Sequence, residues 1–457
     1  MRGLRYHVIG IGGTGMSAVA RLLAARGTVS GSDEGTWPLA EALRPLGVTV
    51  DRSFDPRNVI GADVVIRSSA YGDEHPEVVA ARSAGIPVWR RHDAWRHLAW
   101  GMVTIAVAGT HGKTTTTAMC WSALRSGGKD PSLICGSDVR AAGGNAFVGS
   151  GTELVIEADE YDRTFLALAP AVAVVTNVEH DHVDHFPTRE EYAEAFLEFV
   201  LRVVPGGTVV VCVDDAGGRD LAARAAERLR GRAEVVTYGT SPDAEALVAD
   251  ATTGADGSRA ELRIGESRVP LSLAVPGVHN LRNAAAAVLA AHALGVRVSD
   301  AARALSDVSL PARRLETLGV AGGVTVVDDY AHHPTEIRAS IAAMRARAPG
   351  RVLALFQPHT PSRLRAFLDG FAEALGEADV AVVAETFASA RERADAEGLA
   401  RRLAERARAT WVPDPAAAAR ELASRAVPGD IVLVLGAGDI RSAGTRLLEL
   451  LRERVPA

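Results

Sequence analysis

The run Val103-Thr104-Ile105-Ala106-Val107-Ala108 leads directly into Gly109-Thr110-His111-Gly112-Lys113-Thr114 and then into a stretch of helical character reaching about Leu124. A strand that is apolar on both faces needs cover on both faces, which is the situation of a parallel sheet between layers of helix. A glycine-rich turn between such a strand and a helix wraps backbone N–H groups around phosphate oxygens, with the positive helix N-terminus behind them. This junction therefore commits the chain to an α/β fold and to a polyphosphate ligand. Lys113 adds a mobile positive charge, and Thr114 offers a hydroxyl to a magnesium ion between the outer phosphates. The full Walker spacing asks for a glycine at position 107, which is Val107 here, so the pattern is met in its Gly-Lys-Thr half. Residue usage sharpens the point: of 50 Lys and Arg residues only two, Lys113 and Lys129, are lysine.

With 457 residues the chain exceeds a single hydrophobic core, and two or three domains are expected. The apolar share of 47% and charged share of 23% are those of a globular protein rather than a disordered one. A net charge of −6 without a basic run gives no electrostatic footprint for nucleic acid. Cys120, Cys135 and Cys212 are scattered singly, which excludes a disulfide framework or a Cys-x-x-Cys metal site. The N-terminus lacks a signal-peptide pattern and no run of 18 apolar residues occurs, so a cytoplasmic enzyme without membrane contact is expected.

Three α/β units are predicted, at 1–100, 101–310 and 311–457. The first opens with a strand at about 6–11, a glycine turn and a helix from Met16 to about Arg26, with another strand near 62–67. The second continues through strands at about 153–158, 171–176 and 208–213, which predicts a mainly parallel sheet with helices on both faces. The stretch 232–276 alternates in short runs and predicts small antiparallel strands, followed by an alanine-rich helix from about Leu281 to His292. Beyond Leu310-Pro311-Ala312, strands at about 324–328, 351–356, 379–384 and 431–435 each precede a helix.

Ligands of open parallel sheets sit beyond the C-terminal ends of the strands. Two polar clusters fall there: Glu157-Ala158-Asp159-Glu160-Tyr161-Asp162, and the segment from Thr176 to His185. Glu157 and His182 are thereby within reach of a metal held by Thr114; the histidines leave zinc open, but magnesium with oxygen ligands suits a phosphate loop better. Gly10-x-Gly12-x-x-Gly15 with Asp33 downstream fits the dinucleotide pattern. Such a turn holds a pyrophosphate, so it serves NAD or a nucleotide-sugar equally well.

These residues resemble the Mur ligases, which have an N-terminal nucleotide-sugar domain, a central ATPase domain and a C-terminal Rossmann-like domain; the resemblance runs nearly end to end. Gly109, Thr110, His111, Gly112, Lys113, Thr114 and Thr115 look like the family's ATP loop, and Thr114, Glu157 and His182 match its magnesium-associated residues. The run Val275–Asn283 is similar to the adenine and ribose contacts, implying roles for Asn280 and Asn283, while Arg314 and Asp329 match residues through which the third domain closes on ATP. The resemblance implies catalytic roles for Lys113, Glu157, His182, Arg314 and Asp329. It implies nucleotide-sugar contacts from Gly12, Gly13, Thr14, Gly15, Met16, Ser17, Asp33 and Ser69, and amino-acid contacts from His332 and Arg363.

Within the family the alanine-adding branch is the nearer match, through Gly10–Ser17, Asp328–Glu336, Phe356-Gln357-Pro358-His359 and Gly436–Ile440. No lysine follows Lys129, so the carbamylated lysine of other branches is impossible here. Two places depart from the family pattern: Thr360-Pro361-Ser362-Arg363-Leu364, and Thr386 to Ala396. The expected reaction uses ATP and Mg2+ to convert the carboxylate of UDP-N-acetylmuramate into an acyl phosphate, which the amine of L-alanine then attacks. The alternatives are a ligase that recycles whole peptides onto the same sugar, a nucleotide-dependent sensor, and an NAD oxidoreductase.

Overall fold

The computed structural model describes residues 3–35, 37–387, 392 and 398–454. Among them the strands form three sheets, each with its own helices, in the expected α/β arrangement. No helix among the described residues is long and apolar enough to cross a membrane.

The first sheet has five parallel strands in the order Thr49–Asp51, Thr28–Ser32, Arg5–Ile9, Val64–Arg67, Val88–Arg90. The strand order reverses on either side of Arg5–Ile9, and the glycine turn that leaves this strand lies at that crevice. The helix Thr14–Ala24 follows the turn, starting two residues before the periodicity predicts.

The second sheet has ten strands with Val103–Ala108 near its middle, between Val172–Val175 and Glu153–Glu157. Its parallel part runs from Ser132–Val139 across to Ala246–Gly254. Antiparallel pairing covers less of 232–276 than expected: Glu234–Gly239 joins the parallel part, and only Gly257–Ile264 and Ser267–Leu273 add antiparallel strands beyond Ala246–Gly254. The helix Lys113–Ser126 packs against Val278–Ala293, which is buried from Ala284 through Ala291 apart from a slight exposure of Leu289. A helix apolar all round is a core helix, and the alanine run keeps it thin enough to lie between its neighbours and the sheet.

The third sheet has six strands, parallel except for the edge strand Glu316–Ala321, which pairs antiparallel with Val324–Asp329. Side-chain bridges join the three units. Asn145 Nδ2 donates to Thr14 O and Ser17 Oγ, Arg91 pairs with Asp159 at 2.9 Å, and Arg363 pairs with Asp181 at 2.8 Å.

Candidate active site

The phosphate loop is held in shape from two directions. Gly109 and Gly112 take φ of 135° and 79°, and a Cβ on Gly109 would come within 2.0 Å of Thr176 Oγ1. Only glycine satisfies both the backbone angle and that approach. His111 N donates to Asn177 Oδ1 at 2.9 Å, and Thr110 Oγ1 donates to Glu179 O at 2.7 Å. Lys113 Nζ lies 2.6 Å from Gly109 O and 2.9 Å from Glu160 Oε1. Burial works to lower the lysine's pKa, but Glu160 and Asp159 outweigh it and raise it, so Lys113 stays charged.

Next to the lysine lies the group expected to receive a metal. Thr114 Oγ1 donates to Glu157 Oε1 at 3.0 Å, Gly136 N donates to Glu157 Oε2 at 2.6 Å, and Arg314 reaches Thr114 Oγ1 at 3.3 Å. His182 stands on the far side of Glu160, 3.3 Å from its Oε1, with its backbone at φ 51°. A non-glycine residue in that conformation stores strain, and such residues gather at functional sites. Burial pushes the His182 pKa down, but Glu160 and Asp181 outweigh it and hold it above the usual histidine value. Glu160 is fully buried and bridges Lys113 to His182. The sequence displays it inside an acidic cluster, but only the fold singles it out from its neighbours.

A cavity of about 320 Å³ opens beside the loop, lined by His111, Asn280, Asn283, Arg314, Asp329 and Glu336 among others. Asn283 Oδ1 crowds Gly112, and Asn280 Nδ2 donates to Pro276 O at 2.8 Å. Arg313 and Leu315, at φ 62° and 47°, flank Arg314 in a tight bend, and Asp329 accepts from Leu315 N and Ala331 N at 2.8 Å each. Burial raises Asp329 to about 6, although Arg314 pulls the other way. Sequence reasoning did not single out Asp214, which pairs with Arg282 at 3.1 Å on this wall, nor Glu336 and Glu179.

From the third domain, Arg363 forks onto Asp181 with Nε–Oδ1 at 2.8 Å and Nη2–Oδ2 at 3.1 Å. This bidentate pair stands one residue from His182. His332 donates Nδ1–H to Tyr330 O at 2.9 Å, and burial pushes it down to about 4, so its ring is neutral. Thr360, at the departure from the family pattern, takes φ 69° ahead of the helix Pro361–Ala366. Most of the second departing stretch, 386–396, lies outside the described residues.

In the first domain Gly12 N donates to Asp33 Oδ2 at 2.8 Å, so the aspartate holds the glycine turn itself. Trp37 covers Gly12 so closely that a Cβ there would come within 2.3 Å of its Cγ. Thr14, Gly15 and Gly13 stand at the helix start, whereas Met16 and Ser17 turn inward, Met16 into the core and Ser17 onto Asn145. Ser69 lines a second cavity of about 290 Å³ between the first two domains, with Arg67, Arg91, His92, Tyr161 and His185.

Comparison with known proteins agrees with this architecture. Residues 5–101 match the Mur ligase family catalytic domain, 107–291 the Mur ligase middle domain, and 313–438 the Mur ligase glutamate ligase domain. The chain is 45% identical to the UDP-N-acetylmuramate–L-alanine ligase of Kineococcus radiotolerans, covering 98% of this chain and 97% of the relative. It is 43% identical to the enzyme of the same name from Chloroflexus aggregans, covering 99% of each. The crystal structure of UDP-N-acetylmuramate-alanine ligase from Thermotoga maritima superposes with a TM-score of 0.81 at 27% identity, covering 99% of this chain and 100% of that one. The chain belongs to the Mur ligase family.

Proposed function

We propose that this enzyme joins L-alanine to the carboxylate of UDP-N-acetylmuramate in the cytoplasm, consuming ATP and forming an acyl phosphate on the way. The observation that carries this reading is the meeting of Lys113, Glu160, His182, Asp181 and Arg363 where the second and third domains face each other, supported by full-length kinship with ligases of that name.

ATP fits the cavity beside the loop, with Asn280 and Asn283 on its wall and the backbone of 109–115 around the phosphates. Thr114 and Glu157, 3.0 Å apart, provide hard oxygen donors, a pair that suits Mg2+, while His182 stands across Glu160 from Lys113. When bound, the ion offsets charge as two anions, carboxylate and γ-phosphate, approach. Lys113 does the same from the protein side, and its contact with the carbonyl of Gly109 keeps it poised at the loop. Arg314, on a strained bend of the third domain, reaches the same spot, which ties nucleotide binding to closure of that domain.

The second cavity, lined by Arg67, Arg91 and His92, carries the positive character a diphosphate needs and adjoins Ser69 and the glycine turn. Arg363 is suited to the amino acid's carboxylate, and the neutral His332 nearby is suited to accept a hydrogen bond that orients the amine, since at about 4 it is too weak a base to deprotonate the ammonium. Water has to be kept from the acyl phosphate, and the closed contact between Arg363 and Asp181 supports that role.

The test is phosphate release with UDP-N-acetylmuramate and a panel of acceptors. Turnover with L-alanine that exceeds glycine, serine and peptide acceptors is expected. Turnover with a tripeptide but not with L-alanine would reassign the enzyme to peptide recycling.

A further inference from the structure

The mechanism above leaves one cluster of metal-ligating side chains unused. His111, Glu179 and His333 each present a ligand atom, and these atoms lie within 4.8 Å of one another. They come from three separate places: the phosphate loop, the strand-end segment after Thr176, and the residue before the helix Pro334–Arg345 of the third domain. His111 Nε2 lies 3.1 Å from Glu179 Oε2, and His333 Nδ1 lies 4.0 Å from the same oxygen. The two imidazole rings face each other with centroids 4.6 Å apart.

The surroundings are those of a built site. A histidine that ligates a metal usually gives its other N–H to a carboxylate, which sets the tautomer. Glu336 Oε1 stands 3.4 Å from His111 Nδ1 and keeps the Nδ1–H, so an ion entering beside Glu179 takes the place of the Nε2 proton, which is released on binding. Thr335 Oγ1 donates to Glu179 Oε1 at 2.7 Å, which leaves Oε2 for an ion. His333 is 2% exposed and its Nε2 has no hydrogen-bond partner; its Nδ1, which faces Glu179, accepts only a long 3.4 Å contact from Thr335 N, which an ion there replaces. His111 and Glu179 line the nucleotide cavity, so a fourth position faces solvent or ligand there.

We propose that His111, Glu179 and His333 form a binding site for a divalent first-row transition ion of the zinc class, separate from the magnesium pair Thr114 and Glu157. Two imidazoles and one carboxylate match zinc, while magnesium prefers oxygen ligands and does not compete. Because the ligands belong to the central and third domains, an ion there clamps the two together. Zinc then slows any turnover that requires them to part.

Cobalt, which reports its coordination in visible absorption, serves as the probe with the full-length protein in excess Mg2+. One Co2+ per chain with the intense bands of a low-coordinate site is expected, displaced by Zn2+. His333→Asn keeps a side chain able to cap the helix and should weaken binding ~100-fold or more, while Glu336→Gln, which removes the outer partner of His111, should weaken it ~10- to 100-fold. His180→Gln, in the neighbouring histidine-rich segment, should leave the affinity unchanged. Absence of these bands in the wild type overturns the proposal, as does an affinity that neither His333→Asn nor Glu336→Gln alters, or one that His180→Gln abolishes. If His333→Asn does not fold, Glu336→Gln decides.

Discussion

At the scale of single residues, the lysine count was the sequence's most useful clue, and the structure separates the two lysines by role. Lys129 pairs with Glu153 at 2.5 Å on the rim of the sheet, whereas Lys113 lies within the phosphate loop. Lys113→Ala should lower ATP turnover ~10²–10³-fold or more, as loss of a preorganised charge does. Calorimetry should find UDP-N-acetylmuramate affinity within about threefold of wild type, since distant sites act independently; loss of both would contradict separate sites. His111 gives a pH signature. Burial opposes its protonation, but Glu179 and Glu336 outweigh that and raise it from 6.5 to about 9. Its stabilising contribution is complete below pH 6.5 and is lost as pH rises through about 9, with a ceiling of ~3 kcal/mol. The thermal midpoint of the ligand-free enzyme should fall over that window, and His111→Gln should flatten the fall; equal slopes would contradict the assignment. Glu160 shows where sequence reading ended. It stands among Glu157, Asp159 and Asp162, and nothing in that order says which carboxylate folds inward to bridge lysine and histidine.

At the scale of elements, the strand Val103–Ala108 and the buried helix Val278–Ala293 were legible because continuous apolar runs and an alanine run leave few alternatives. Thr28–Ser32 and the edge strand Thr49–Asp51 escaped, since they are short and their Thr-Val pairs are followed by Ser, Gly or Asp, which carry little β preference and are ordered by their neighbours. The parallel pairing of Glu234–Gly239 escaped for a related reason: alternation within a strand does not reveal its direction. The loop's geometry makes a direct prediction. Gly109→Ala forces a side chain against Thr176 at a backbone angle few L-residues adopt, at a cost of about 1–3 kcal/mol. A fluorescent ATP analogue should lose binding to this variant and the melting midpoint should drop; unchanged binding would show that the loop tolerates what its φ forbids.

At the scale of the whole molecule, the site is assembled from partners distant in sequence. Arg363 and Asp181 are 182 positions apart, and no local pattern announces such a pair. The sequence named the arginine through resemblance, but its carboxylate partner emerges only when the third domain is docked. Removing Asp181's charge leaves Arg363 buried and unpaired, which costs about 3–5 kcal/mol. Asp181→Ala should therefore shift the enzyme toward an open arrangement, seen as a larger radius of gyration in solution scattering; an unchanged radius would mean the pair does not hold the domains. The central claim is that the three domains meet in order to activate the sugar-nucleotide's carboxylate with ATP. Its most direct measurement uses UDP-N-acetylmuramate labelled with 18O in that carboxylate, turned over with ATP and L-alanine. An acyl phosphate transfers one labelled oxygen to the released phosphate, and that is the predicted result; phosphate without label would contradict it.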